Sequence, residues 1–297
     1  MSKADSFKAR LFNIAVRSGK TNEYMQTHYF IERLLYRLSV SRYANDFVLK
    51  GGLLLHAMFD NQARATRDID MLARQISNSP EQMIKVFRVV CAISVDDGVT
   101  FDLDAISAEP ITEDADYPGI RMKIPSFLDR SRSYVQLDIG FGDVVIPNPE
   151  RMRYPSLLDM EEADLCVYSK ESIIAEKFQA MVYLAQANSR MKDFYDIAML
   201  ASTYNYDGTI LREAVAQTLN RRATPLVAEP IVFAEAFATD KDKQMQWSAF
   251  IMRIRSVDTP FEHELSKIKA FLEPVYQAII HDTDFHPIWH HEDGAWK

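Results

Sequence analysis

Apolar residues in the first forty positions recur at helical spacing. Phe7, Leu11 and Ile14 lie three or four residues apart, and Gly19 interrupts the pattern. Thr21 then offers an N-terminal cap. The pattern predicts two N-terminal helices, the second with the apolar positions Ile31, Leu34, Leu35 and Leu38.

From Phe47 to about Asp164 the pattern changes to short alternating runs. We predict strands from Val99 to Ile106, Ile120 to Ile124 and Tyr134 to Phe141, with a helix opened by Pro80. Beyond Ser169 the periodicity is almost entirely helical. The fold class is therefore α+β, with a first domain over residues 1–165 and a helical domain over residues 166–297.

Composition and net charge bear on whether the protein binds nucleic acid or a membrane. The chain has 297 residues, 47% of them hydrophobic, and a net charge of -8, which argues against a surface that attracts nucleic acid everywhere. A local basic surface formed by Arg121, Lys123, Arg130 and Arg132 stays open beside the alternative of solvated faces. Without a signal peptide or a bilayer-long apolar run, we expect a cytoplasmic protein with no membrane contact.

Two glycines and an Asp-x-Asp pair form the first candidate site. Gly51 and Gly52 follow a short apolar run, and glycine lets backbone N–H groups approach an anion closely. Asp68 and Asp70 project from one face of a strand, because residues i and i+2 point the same way. Paired carboxylates suit Mg²⁺, so the order of these residues indicates a metal site beside a phosphate site.

A third carboxylate would allow two metal ions to be held. Asp138 alternates with the apolar residues Leu137 and Ile139, so we expect it on the polar face of a strand. Asp102 and Asp104 form a rival acidic pair. They lack a Gly-Gly turn upstream, which favours a solvated strand face there.

One lysine interrupts an otherwise apolar helical stripe. Lys177 must either extend to water or serve a buried anion. Asp193 and Asp196 follow nearby, and they could merely complement a helix dipole or pair with basic residues. Together with Lys177, they resemble a site for a triphosphate and its acceptor.

Five ordered motifs between Phe47 and Leu200 resemble the AbiEii/AbiGii nucleotidyltransferase toxins, which include the MenT-type enzymes. These motifs are Lys50-Gly51-Gly52, Arg64-x-Thr66-x-Asp68-Ile69-Asp70, Leu137-Asp138-Ile139, Ala175-Glu176-Lys177 and Arg190-Met191-Lys192-Asp193-Phe194-Tyr195-Asp196. The resemblance implies a DNA polymerase β-like nucleotidyltransferase core with a mixed sheet, and a helical C-terminal domain that completes the active site.

The resemblance also implies the roles of individual residues. The metal ligands would be Asp68, Asp70 and Asp138, and the catalytic residues Asp68, Asp70, Lys177, Asp193 and Asp196. The nucleotide-binding residues would be Gly51, Gly52, Thr66, Arg67 and Lys177. One departure is Leu53, since many nucleotidyltransferases have Ser or Thr at or just after the second glycine.

The function implied is a Mg²⁺-dependent toxin, using two ions, that moves NMP from an NTP to the 3′ end of tRNA and blocks translation. A cognate antitoxin, encoded as a transcriptional regulator, would neutralise it in a type IV toxin-antitoxin or phage-defence system. The alternatives are NMP transfer to a protein hydroxyl and a non-catalytic interaction module. The C-terminal residues His286, His290 and His291 could ligate a metal, but Pro287 favours a docked or frayed end.

Overall fold

The computed structural model describes residues 3–59, 64–111 and 119–297. Its contacts divide the chain into two compact units. The first contains Met1–Gly142 and Pro149–Tyr168, and the second contains Asp143–Asn148 and Ser169–Lys297.

The first unit begins with two helices, as the periodicity predicts. They are α1 (Lys3–Ser18) and α2 (Asn22–Ser39), and the Thr21 side chain caps α2 by accepting from the Tyr24 N–H. Two further helices are α3 (Gly51–Phe59) and α4 (Pro80–Cys91). The strands are β1 (Phe47–Lys50), β2 (Asp68–Ala73), β3 (Val99–Phe101), β4 (Ser107–Ile111), β5 (Gly119–Leu128), β6 (Ser131–Phe141), β7 (Glu150–Tyr154) and β8 (Ala163–Val167).

These strands form one mixed sheet in the order β3-β5-β6-β2-β1-β8-β7, with β4 also pairing with β5. β2 runs parallel to β6 and antiparallel to β1, so the two strands that carry the predicted acids are neighbours. Their apolar residues Ile69, Leu137 and Ile139 are fully buried. The alternation of the sequence therefore places the acids on the opposite, polar face.

One predicted strand is shorter than expected. β3 ends at Phe101, and Asp102 lies in the bend that follows, where its Oδ1 accepts from the N–H groups of Asp104 and Ala105. Such side-chain bonds to nearby backbone compete with a strand ladder, which explains why the run to Ile106 does not continue as β structure. The rival acidic pair thus lies in a turn.

A buried ionic network fastens α2 to the rest of the first unit. Arg37 donates to both oxygens of Asp97 at 2.6 and 3.0 Å, and Arg33 lies 3.3 Å from the same carboxylate. Asp97 and Arg33 are completely buried. Glu32 accepts from the Leu157 N–H at 2.7 Å, which ties the helix to a second loop.

The second unit is helical, as the sequence predicts. Its helices are α5 (Lys170–Leu184), α6 (Met191–Ala201), α7 (Gly208–Arg221), α8 (Glu235–Ala238), α9 (Lys241–Ile254) and α10 (Phe261–Ile280). Three short strands, β9 (Tyr206–Asp207), β10 (Ile288–His290) and β11 (Ala295–Trp296), form a small sheet. The C-terminal end is docked there, because Trp289 is buried and donates its Nε1–H to the Ala201 carbonyl at 2.7 Å.

Candidate active site

A tight turn joins β1 to α3 and faces the Asp-x-Asp strand. Gly51 has φ +70°, a region that side chains disfavour. A Cβ built on Gly51 would lie 2.0 Å from Oδ2 of Asp70. Glycine is therefore required here both for its conformation and for the close approach of the Asp70 carboxylate to the start of α3.

Gly52 lies beneath two polar side chains. A Cβ on Gly52 would lie 3.0 Å from Nη2 of Arg64 and 3.2 Å from Oγ1 of Thr66. A hydroxyl thus stands beside the second glycine although Leu53 follows it in sequence. Thr66 supplies that hydroxyl from the neighbouring segment.

A buried histidine forms a hydrogen bond with the backbone of Thr66. His28 of α2 donates its Nε2–H to the Thr66 carbonyl at 2.8 Å. Burial is the main cause that lowers the pKa of His28 to about 4; the bond to Thr66 opposes this shift, and nearby His56, Lys20 and Arg67 add to it. The imidazole is therefore neutral near pH 7, and it anchors the backbone of Thr66.

Arg67 contacts α2. Its Nη1 donates to Oε1 of Glu23 at 3.0 Å, and its guanidinium lies 5.9 Å from the centre of the Tyr24 ring. The nucleotide-binding role of Arg67 stays a prediction. To bind a phosphate, the Arg67 guanidinium must either break its exposed ion pair with Glu23 or contact the phosphate while it keeps that pair.

The three predicted metal ligands lie on adjacent strands. Asp68 and Asp70 occupy the polar face of β2, where Asp68 is exposed and Asp70 partly buried. Asp138 of β6 is directly opposite Asp70 in the parallel register. The backbone thus places Asp138 next to Asp70, as the alternation in the sequence predicts.

Arg121 of β5 binds the third carboxylate. Its Nε and Nη2 donate to the two oxygens of Asp138, both at 2.8 Å, in a bidentate pair. Lys50 is likewise opposite Asp70, so a row across β1, β2, β6 and β5 has two acids, Asp70 and Asp138, between two cations, Lys50 and Arg121. Neither Lys50 nor Arg121 was assigned a site role from the sequence, although hairpin pairing of two alternating strands could have placed Arg121 opposite Asp138.

The donor set fits Mg²⁺ in part. Asp68 and Asp70 supply hard oxygen atoms from one strand face, and Mg²⁺ in phosphate-transferring enzymes is commonly bound by one or two carboxylates plus substrate phosphates. Across the described ranges, no three His, Cys, Asp or Glu side chains are grouped so as to hold a metal ion. The fit therefore rests on the Asp68 and Asp70 pair, while Asp138 is engaged by Arg121.

In the second unit, the structure brings together Lys177, Asp193 and Asp196. Lys177 Nζ donates to Asp193 at 2.8 Å and to Asp196 at 2.7 Å, and its side chain is 11% exposed. Burial alone would lower the pKa of Lys177, but the two carboxylates outweigh it and the net shift is upward. The lysine in the apolar stripe is therefore a charged partner of two buried acids.

Asp193 has a second basic partner. Arg190 Nε donates to its other oxygen at 2.7 Å. Although burial raises the pKa of Asp193, Lys177 and Arg190 overcome that effect and hold it at about 2. The Lys177 ammonium group thus directs two of its three N–H donors at these acids.

A glycine turn at a helix start, facing an Asp-x-Asp strand in a mixed sheet, is the arrangement that the resemblance predicted for the core of a nucleotidyltransferase. The comparisons agree with this class. The model of the family described as "Nucleotidyl transferase AbiEii toxin, Type IV TA system" matches residues 33–274. The chain belongs to this family of nucleotidyltransferase toxins.

A solved structure shows the same fold. MenT4, the nucleotidyltransferase toxin Rv2826c of Mycobacterium tuberculosis H37Rv, superposes with a TM-score of 0.55 at 16% identity, covering 93% of this chain and 99% of that one. JHP933 from Helicobacter pylori has a TM-score of 0.47 at 12% identity and covers 88% and 95% of the two chains. No curated protein sequence matches the chain.

A membrane-crossing helix is not found in the described part of the chain. No helix there combines the necessary length with a sufficiently apolar sequence.

Proposed function

We propose that this nucleotidyltransferase moves an NMP from an NTP to the 3′-hydroxyl of tRNA, and that a cognate antitoxin, encoded as a transcriptional regulator, neutralises it. The observation that carries the proposal is the contact between Gly51 and Asp70, which sets a phosphate-binding helix start against a carboxylate pair. Family membership supports the NTP substrate and the antitoxin.

The proposed reaction forms one bond and breaks one. The 3′-oxygen of the acceptor bonds to the α-phosphorus while the bond from that phosphorus to the oxygen bridging to the β-phosphate breaks. Pyrophosphate leaves with the electron pair, and the hydroxyl proton passes to water. Mg²⁺, when bound, would lower the pKa of the attacking hydroxyl and neutralise charge on the triphosphate.

The chain's own residues would position the reactants. Asp68 and Asp70 would hold the metal, the N–H groups at the start of α3 would orient phosphate oxygens, and Thr66 would donate its hydroxyl beside Gly52. The roles of Lys177 and Asp193 toward nucleotide are separate predictions that come from the resemblance.

The test is a transfer assay with each α-labelled NTP, Mg²⁺ and total tRNA. We expect labelled tRNA with the unmodified protein and a loss of about 100-fold or more with Asp70→Asn, because a metal ligand worth several kcal/mol is removed. Asp104→Asn is the matched control, since this exposed acid lies in the turn after β3. Equal labelling by Asp70→Asn would overturn the proposal.

The acceptor is tested in the same assay. The label should be lost on RNase treatment and should map to the 3′-terminal nucleotide. Label that resists RNase and migrates with a protein would instead establish NMP transfer to a protein hydroxyl.

A further inference from the structure

The basic residues of the chain differ in how far their charge is compensated. Arg151 pairs with Asp164, Arg190 with Asp193, and Arg222 with Asp143. In contrast, the side chains of Lys123 and Arg132 make no hydrogen bond or ion pair with any residue the structure describes, whereas the charge of Arg130, in the turn, acts on its neighbour Asp129. Two cations without a side-chain partner among the described residues therefore lie on the β5–β6 hairpin, one on each strand.

The hairpin has one buried and one solvent-facing surface. Residues Ile120, Met122, Ile124 and Val135 point into the core with almost no exposure. The antiparallel register is continuous from the pair Gly119 and Gly140 to the pair Leu128 and Ser131. No bulge interrupts it, so the side chains opposite the core residues share one solvent-facing surface. This surface, here termed the hairpin face, consists of Lys123, Pro125, Phe127, Arg132, Tyr134 and Gln136.

The hairpin face leads directly to the acidic site. Along β6, Arg132, Tyr134 and Gln136 precede Asp138 at every second position, and Asp138 is opposite Asp70. The distance from Arg132 to Asp138 is about 20 Å at the rise of a strand. A chain lying along this face would therefore reach the carboxylates with its end.

An exposed aromatic ring lies in the middle of the hairpin face. Tyr134 is 54% exposed although it lies within the long strand β6, and it has no ring contact within the described ranges. Lys123 is opposite Gln136, which lies two residues nearer the acids than Tyr134. Arg132 lies two residues further from the acids than Tyr134. Exposed aromatics flanked by cations suit bases that stack and phosphates that follow them.

The charges at the two ends of the β5–β6 hairpin also suit a bound polyanion. Asp129, the acid at the hairpin turn, is 2.8 Å from Lys8 and is compensated. Glu109 is opposite Arg121 at the other end, so negative charge lies near the metal acids and positive charge lies further out. This distribution matches a polyanion that enters over the turn and ends at the site.

We propose that the hairpin face binds the single-stranded 3′ end of the acceptor polynucleotide, with one base stacked on Tyr134 and phosphates at Lys123 and Arg132. This inference rests on the proposed function. It adds the acceptor's path and the requirement that the terminal nucleotides be unpaired.

Binding is measured by fluorescence anisotropy with a short labelled single-stranded RNA that ends in a free 3′-hydroxyl, in EDTA and without NTP. We expect Tyr134→Ala to weaken binding about 5-fold or more, and Tyr134→Phe to retain it, because the stacking ring is kept. Tyr183→Ala is the matched control, since this tyrosine of α5 is 55% exposed. It should bind as the unmodified protein does.

The salt dependence tests the cations. Lys123→Ala and Arg132→Ala should each reduce the slope of log K against log salt by about 0.7, as expected for one lost contact to a single strand. Lys85→Ala, an exposed lysine of α4, should leave the slope unchanged. A blunt duplex of the same sequence should bind more weakly than the single strand.

The inference is overturned if Tyr134→Ala binds like the unmodified protein, if Tyr183→Ala loses as much, or if the duplex binds equally well. Its failure is distinct from failure of the proposed function. Weaker binding by Tyr134→Ala together with no transfer by any form supports the hairpin face and refutes nucleotide transfer. Transfer with an unchanged acceptor KM in Tyr134→Ala refutes the hairpin face alone.

Discussion

Gly51 and Asp70 approach each other so closely that a methyl group at position 51 would lie 2.0 Å from the Asp70 carboxylate oxygen. The start of α3 and the Asp-x-Asp strand are thereby brought into direct contact. The site depends on this approach, because it sets backbone donors beside the acid that the proposed chemistry needs.

Gly51→Ala should therefore damage the site more than the fold. The new methyl group adds strain at φ +70° and displaces Asp70, so we expect transfer to fall at least about 10-fold. Gly19→Ala separates the two effects, since Gly19 has φ +67° and open space around it. That control should lose about 1 kcal/mol in urea unfolding and retain activity. Equal activity in both variants would show that the contact with Asp70 is dispensable.

Arg121 should compete with metal for Asp138. The bidentate pair occupies both carboxylate oxygens, so Arg121→Ala should strengthen Mn²⁺ binding in a calorimetric titration, and Asp138→Asn should weaken it. If neither variant changes the affinity for Mn²⁺, Asp138 is a structural partner of Arg121 and not a metal ligand.

His28 should make stability depend on pH. Its pKa of about 4 in the folded chain lies below the unfolded value of 6.5, so the unfolded state binds the proton first and stability falls as pH drops below about 6.5. We expect a loss of about 2 kcal/mol between pH 7 and pH 5 from this group. Urea unfolding at both pH values measures it.

His28→Gln should remove that part of the pH dependence, because the amide can still donate to the Thr66 carbonyl but does not titrate. The control is His263→Gln on the exposed surface of α10, which should follow the unmodified protein. A pH dependence unchanged by His28→Gln would assign the effect to other groups.

Asp97, in the buried network, and its exposed neighbour Asp96 allow a matched test of that network. Asp97→Asn leaves the guanidinium of Arg37 without its carboxylate in the core, and we expect a loss of about 3 to 5 kcal/mol in unfolding free energy. Asp96→Asn removes only a surface pair with Lys3 and should cost less than about 1 kcal/mol. Similar losses in the two variants would contradict a structural role for the network.

Lys177 should be required for stability as well as for any role with nucleotide. Lys177→Met leaves Asp193 and Asp196 buried without their shared cation, and we expect a loss of about 3 to 5 kcal/mol. Lys177→Arg keeps the charge and should remain folded. Retained folding with an increased KM for NTP would assign Lys177 to the nucleotide, while an unchanged KM would leave it a structural partner of the two acids.

The sequence alone determined the class of fold and the identity of the candidate residues. Alternation around Asp68, Asp70 and Asp138 predicted their polar face, because side-chain direction in a strand follows a period of two. Likewise, the stripe around Lys177 placed a lysine on an apolar helix face, because a helix repeats every 3.6 residues, but it left open whether the lysine extends to water or binds a buried anion. Both are local consequences of backbone geometry.

Tertiary structure alone decided which of these residues have partners. The pairing of β5 with β6 set Arg121 on Asp138, and the return of β2 beside β1 brought Thr66 over Gly52 and Asp70 against Gly51. Asp97, an ordinary acid in the sequence, became the buried partner of Arg37. Strand order and register join residues far apart in the chain, and no local pattern of hydrophobic and polar positions specifies them.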